Sequence, residues 1–175
     1  IKRCRIIRDP DSLRRNLNLY VLSEDSAGKL ATTNSTIKEN VKVWLNRTKM
    51  ISDTIDILDA KIVNVGIDFE VVADEESNRF QLLSECVNVV KNLFATTPFI
   101  GEPLYLTDIY SALNKVDGVV DTKRVEVANK VGTNYSTTRF DLNNALSADG
   151  RYLSVPQNVA LEVKFPDTDI KGAIS

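Results

Sequence analysis

Between positions 61 and 73 apolar residues occupy every second place: Val63, Val65, Ile67, Phe69, Val71 and Ala73 alternate with Asn64, Gly66, Asp68, Glu70 and Val72. A period of two belongs to an extended strand with one apolar face. The segment therefore predicts a strand in a sheet that carries helices on one side and meets water or another subunit on the other. The period then becomes helical. From about 78 to 95, Leu82, Leu83, Cys86, Val87, Val89, Val90, Leu93 and Phe94 form two adjacent stripes, a face broad enough to lie on a sheet. An earlier helix is predicted at about 36–50. A capping box of Thr36 and Glu39 opens it, and Ile37, Val41, Trp44, Leu45 and Thr48 share its apolar face. Trp44, the single tryptophan, is assigned to the core.

The remaining elements are shorter. Residues 1–8 alternate like a strand until Asp9-Pro10-Asp11 breaks it, and 18–23 give a second strand. Thr96-Thr97-Pro98 ends the second long helix; a loop through Gly101 and Pro103 leads to a short helix at 107–115, with Thr107 and Asp108 able to cap it. Asp117-Gly118 supplies a turn tolerant of positive φ, and 119–127 forms a strand with Val119, Val125 and Val127 inward. Residues 128–150 are polar and poorly periodic, the mark of a functional or mobile loop. Segments 152–155 and 159–165 read as a hairpin around Pro156-Gln157-Asn158, and the tail from Pro166 as disordered or dependent on a partner. The expected fold is α+β: a mixed β-sheet with two long helices packed on one face, plus a C-terminal β-hairpin. The expected organisation is an N-terminal strand and linker at 1–14, a central α/β sandwich at 15–128, and a loop and hairpin subdomain with its tail at 129–175.

Composition narrows the function. A chain of 175 residues, 43% hydrophobic, can bury a sizeable core, about 70% of its unfolded surface, without metals or disulfides. Lysine and arginine number 22 against 24 acidic residues, so no basic excess points to nucleic acid. The only basic cluster is Lys2, Arg3, Arg5 and Arg8 with Arg14-Arg15. Cys4 and Cys86 lack metal-ligand spacing and read as reduced thiols, with Cys86 in the core. No apolar run approaches the roughly 20 residues of a membrane span, and no signal segment opens the chain. The expectation is a soluble protein folded in a reducing cytoplasm. Histidine is absent, which removes the commonest general base and metal ligand.

No constellation of reactive groups stands out. Asp74-Glu75-Glu76 lacks a calcium-loop rhythm and reads as a turn at a helix start; Asp53, Asp56 and Asp59 read as a solvated connector. Glycine-rich phosphate loops are missing, and the sequons at Asn34, Asn46 and Asn134 read as chance matches. One functional reading is a small α/β enzyme or ligand-binding domain using Asp68, Glu70, Lys123 and Arg124. Aromatic and basic residues in or beside the second-half loops, Tyr105, Tyr110, Tyr135, Arg139, Phe140, Arg151 and Tyr152, are candidate subunit contacts. No catalytic, cofactor-binding or metal-ligating residue is assigned.

Three stretches carry a family pattern: Arg15 to Ser23 leading into the helix around Val41 to Asn46; Gly101 to Leu113 followed by Val116-Asp117-Gly118-Val119; and Gly150 to Pro156 followed by the alternation from Val159 to Phe165. In order and spacing the chain resembles the baseplate J-like family of contractile-tail phages, in the C-terminal part of the wedge subunit of T-even-like myophages. The resemblance implies a non-enzymatic virion protein of the viral baseplate, expressed late and assembled in the host cytoplasm. It further implies a homodimer that joins other baseplate wedge proteins in a ring and changes shape on tail contraction. No cofactor, small-molecule substrate, nucleic acid or membrane partner is expected. Because such subunits are longer and this chain opens on Ile1, a fragment is expected.

Overall fold

The computed structural model describes residues 1–9, 12, 16–96 and 98–175. The Asp9-Pro10-Asp11 break lies partly, and Arg14-Arg15 and Thr97 wholly, outside the described residues. Among the described residues the chain is a mixed α+β protein with more strands than helices, divided into two units. Unit 1 comprises Ile1–Ile62, Phe99–Gly101 and Pro156–Ala160; unit 2 comprises Val63–Pro98, Glu102–Val155 and Leu161–Ser175. These divisions fall elsewhere than at 14/15 and 128/129.

In unit 1, strand β2 (Asn16–Glu24) is central. It pairs antiparallel with β1 (Arg3–Arg8) and β3 (Leu30–Ala31), and parallel with β4 (Thr54–Asp59), in register from Asn16 opposite Thr54 to Val21 opposite Asp59. The segment holding Asp53, Asp56 and Asp59 is thus largely a strand rather than a solvated connector: Ile55 and Ile57 supply the alternation that the aspartates obscure. Helix α1 (Ser35–Thr48) joins β3 to β4 and packs mainly on β4. Its start is not the expected capping box. Asn34, a stronger cap than threonine, accepts the Thr36 amide at 2.9 Å. The core of unit 1 gathers Leu22, Leu30, Ala60, Ile100 and Ala160, with Tyr20 and Ile62 packed against them. Arg5 ties Ile100 to the sheet by donating to its carbonyl at 2.6 Å.

Unit 2 is built on β5 (Lys61–Ala73), whose first two residues belong to unit 1. The odd positions Val63 to Val71 are at most 4% exposed, as the alternation predicts. The even face is not left to solvent throughout: Asn64 and Gly66 are buried too. Strand β7 (Val119–Asn129) pairs antiparallel along one side of β5. Its register slips between Glu70 and Val71 and again between Val72 and Ala73. Each slip is a bulge that reverses side-chain parity. Thr122 therefore faces inward and is 5% exposed, alongside Val125, although their positions differ in parity. Helix α2 (Arg79–Leu93) is capped by Asn78 and buries Leu82, Cys86 and Val90 at four-residue spacing. The Asp74-Glu75-Glu76 run forms a turn before that cap, with Ser77 donating to the Asp74 carbonyl at 3.2 Å.

After α2, β6 (Leu104–Tyr105) leads into α3 (Leu106–Leu113), which buries Leu106, Ile109 and Leu113. Neither Thr107 nor Asp108 caps α3; the Arg151 carbonyl accepts the amides of Leu106 at 2.8 Å and Thr107 at 3.3 Å. Gly118, at φ +91, makes the turn into β7 that Asp117-Gly118 predicts. Beyond β7, α4 (Leu142–Ala145) precedes β8 (Tyr152–Leu153), and β9 (Val159–Glu162) follows. The expected hairpin is absent, because β8 pairs with β6 whereas β9 pairs with β5. The tail is ordered. Helix α5 (Pro166–Asp169) and strand β10 (Ile170–Ile174) close unit 2, with β10 parallel to β5 and Ile170 opposite Ile67. The single sheet with both long helices on one face gives way, among the described residues, to two four-stranded sheets and the two-stranded β6–β8 ribbon, with α1 packed mainly on β4 and α2 on β10.

Candidate interface surfaces

The β6–β8 ribbon brings three of the sequence-predicted contact residues together. Tyr105 and Tyr152 are cross-strand partners with ring centroids 5.9 Å apart, and they remain 48% and 41% exposed. Arg151 beside them is exposed, and its carbonyl holds the first turn of α3. Leu146, which bridges to Leu153, adds exposed apolar surface. An aromatic pair anchored on paired backbone loses little side-chain freedom on binding, the property of an interface anchor.

Of the other candidates, Tyr110, Tyr135 and Phe140 make contacts within the fold. Tyr110 is half-buried, and its hydroxyl accepts the Val125 amide at 3.0 Å. Tyr135 donates its hydroxyl to Asp169 at 2.6 Å and meets the Phe165 ring edge-on at 5.5 Å. That hydrogen bond to a carboxylate, aided by burial, pushes the Tyr135 phenol above its ordinary pKa. Phe140 is half-buried and clasped through its backbone by Asn129, which donates to the carbonyl at 2.6 Å and accepts from the amide at 3.4 Å. Arg139 is exposed.

These contacts belong to a polar network that the sequence did not reveal. Asn64, 1% exposed, donates to Glu162 at 2.8 Å and accepts the Ser136 amide at 2.6 Å. Asp169, also 1% exposed, receives the Tyr135 hydroxyl on one oxygen and the Phe165 amide on the other at 2.9 Å. The 130–140 loop is thereby fastened over the buried end of the even face of β5. Each partner lies more than 30 positions from Asn64 or Tyr135, apart from the local Phe165–Asp169 pair, so no short motif encodes the cluster.

Glu70, Lys123 and Arg124 share the neighbouring part of the sheet, but as ion pairs. Lys123 binds Glu70 at 2.8 Å and Arg124 binds Glu126 at 3.0 Å, with both cations exposed. The hydrogen bond from Lys123 holds the Glu70 carboxyl below its ordinary value. Asp68 stands opposite Glu126 and keeps one buried carboxylate oxygen without a hydrogen bond. Among the described residues no group of three or more histidines, cysteines or acids is placed to hold a metal ion.

The largest departure from expectation is α1. None of its fourteen residues is buried, and Trp44 is 63% exposed rather than in the core. Ile37 at 42% and Val43 at 57% extend the exposed apolar surface. Lys38 holds Asp59 at 2.7 Å, and Lys42 lies 3.9 Å from Asp56, so the helix is moored partly by its cations. At 100° per residue Trp44 lies about 60° from Val41 and about 100° from Leu45, so it falls beside the half-buried side of the helix and not at its centre. No protein-family model matches the sequence, and a search of curated proteins gives no significant match. No helix among the described residues is long and apolar enough to cross a membrane.

Proposed function

We propose that this chain is a structural, non-enzymatic subunit of a contractile phage tail baseplate. It associates with itself and with neighbouring wedge proteins through preformed surfaces, and exchanges those contacts when the tail contracts. The observation that carries the reading is α1, a fourteen-residue helix with no buried side chain and an exposed tryptophan. A helix in a globular protein normally gains its stability by burying an apolar face. Tryptophan is also among the residues most enriched at energetic centres of interfaces. The exposed Tyr105–Tyr152 pair supports the same reading from unit 2, and the family resemblance supplies the baseplate setting. Light scattering on the full chain from about 10 to 200 µM should show a dimer or larger species, given the interface sizes that stable association needs. A monomer at every concentration overturns the proposal.

A further inference from the structure

A second surface in unit 2 has the shape and charge to receive α1. Helices α2 and α3 flank an open groove of about 740 Å³, with Val89, Leu93, Ala112 and Val116 among its apolar lining. Three carboxylates, Glu85, Asp108 and Asp117, stand around that lining against a single Lys115. Leu93 is 42% exposed there.

Helix α1 offers the complement. Counting 100° per residue, Ile37, Asn40, Trp44 and Arg47 fall on one stripe, with Val43 at its margin. Lys38 and Lys42 lie on another side of the helix, where Asp59 and Asp56 face them. The stripe therefore presents apolar and aromatic surface with a guanidinium near its end, toward which an acidic rim would draw it. Tryptophan and arginine are the side chains that most often dominate such contacts. An amphipathic helix laid in an apolar groove is a standard mode of recognition.

We infer that α1 of one copy docks in the α2–α3 groove of a second copy. Each copy gives one helix and receives another, so association closes as a reciprocal two-fold dimer or a larger ring, or continues as a chain. The inference deepens the self-association proposed above and rests on it.

The test is sedimentation velocity on the full chain and three variants: Trp44→Ser, Arg47→Glu, and the pair Glu85→Arg with Asp108→Arg. All four positions are exposed, and far-UV circular dichroism checks that each variant is folded. Trp44→Ser and either charge variant alone should weaken association at least about tenfold. An equimolar mixture of the two charge variants should restore it, because every cross-contact again joins opposite charges. Association that ignores all three variants, or a mixture that fails to recover, overturns the docking pair and leaves self-association standing. Absence of association by the unmodified chain overturns both.

Discussion

Replacing Asp169 with alanine tests whether the tail is an integral part of unit 2. The side chain is 1% exposed and accepts two hydrogen bonds, from the Tyr135 hydroxyl at 2.6 Å and the Phe165 amide at 2.9 Å. Hydrogen bonds to a charged group contribute about 1.5–3 kcal/mol each, and a buried donor left without a partner costs a comparable amount. Relief from burying the carboxylate offsets part of that loss, so the net destabilisation should be about 2–4 kcal/mol. For a chain of this length each kcal/mol lowers the melting temperature by about 2–4 °C, giving a drop of roughly 4–16 °C. The control is Asp167→Ala, two residues earlier. Asp167 pairs with Lys91 at 2.7 Å, but its side chain is 87% exposed, and the change should stay within about 0.5 kcal/mol. Thermal and urea unfolding should be followed by far-UV circular dichroism, because Trp44 lies in unit 1 and would report the wrong unit. Hydrogen exchange at the Ile170–Ile174 amides should accelerate in the same variant. If Asp169→Ala unfolds within 0.5 kcal/mol of the parent, the buried carboxylate does not hold the tail, and the reasoning fails.

Two further outcomes follow from shifted titrations. The Tyr135 phenol binds its proton more tightly in the folded chain, so its stabilising contribution is present below its unfolded pKa of about 10 and is lost as pH rises through the higher folded value. The stability difference between the parent and Tyr135→Phe should therefore shrink above about pH 10 in urea unfolding; a difference that stays constant to pH 11 contradicts this. Burial pushes the Cys86 thiol up, whereas Cys4 is exposed. A thiol reagent should label one cysteine quickly and the second only at the rate of unfolding, and two fast thiols would refute the placement.

The local signals in the sequence were strong where one chemistry dominated. The alternation from Val63 to Val71 marked the central strand, and the 78–95 pattern marked α2, because in both the apolar residues meet a core on one side only. The β4 strand escaped because two aspartates, Asp56 and Asp59, interrupt its apolar positions, and both face α1 lysines. The tail escaped for a different reason: Ile170, Ala173 and Ile174 are few and flanked by Pro166 and Gly172, and only the long-range pairing with β5 makes them a strand. The hairpin reading failed because proximity in sequence suggested a partner that register did not supply. For the surfaces, Tyr105 and Tyr152 were legible as loop-border aromatics. Trp44 was not, since helical periodicity identifies a shared face without saying whether anything covers it.

The parallel pairing of β10 with β5 also sets an order of events during synthesis. Ile170 emerges about 100 positions after its partner Ile67, an interval of about 5–20 s at ribosomal speed. For that time one edge of the main strand of unit 2 has no permanent neighbour, and an open apolar strand edge invites pairing with other nascent chains. The strand that completes the sheet is thus the last to arrive. Until β10 is made, mispairing at that edge competes with closure of the sheet, a kinetic hazard that the stability of the finished fold does not measure.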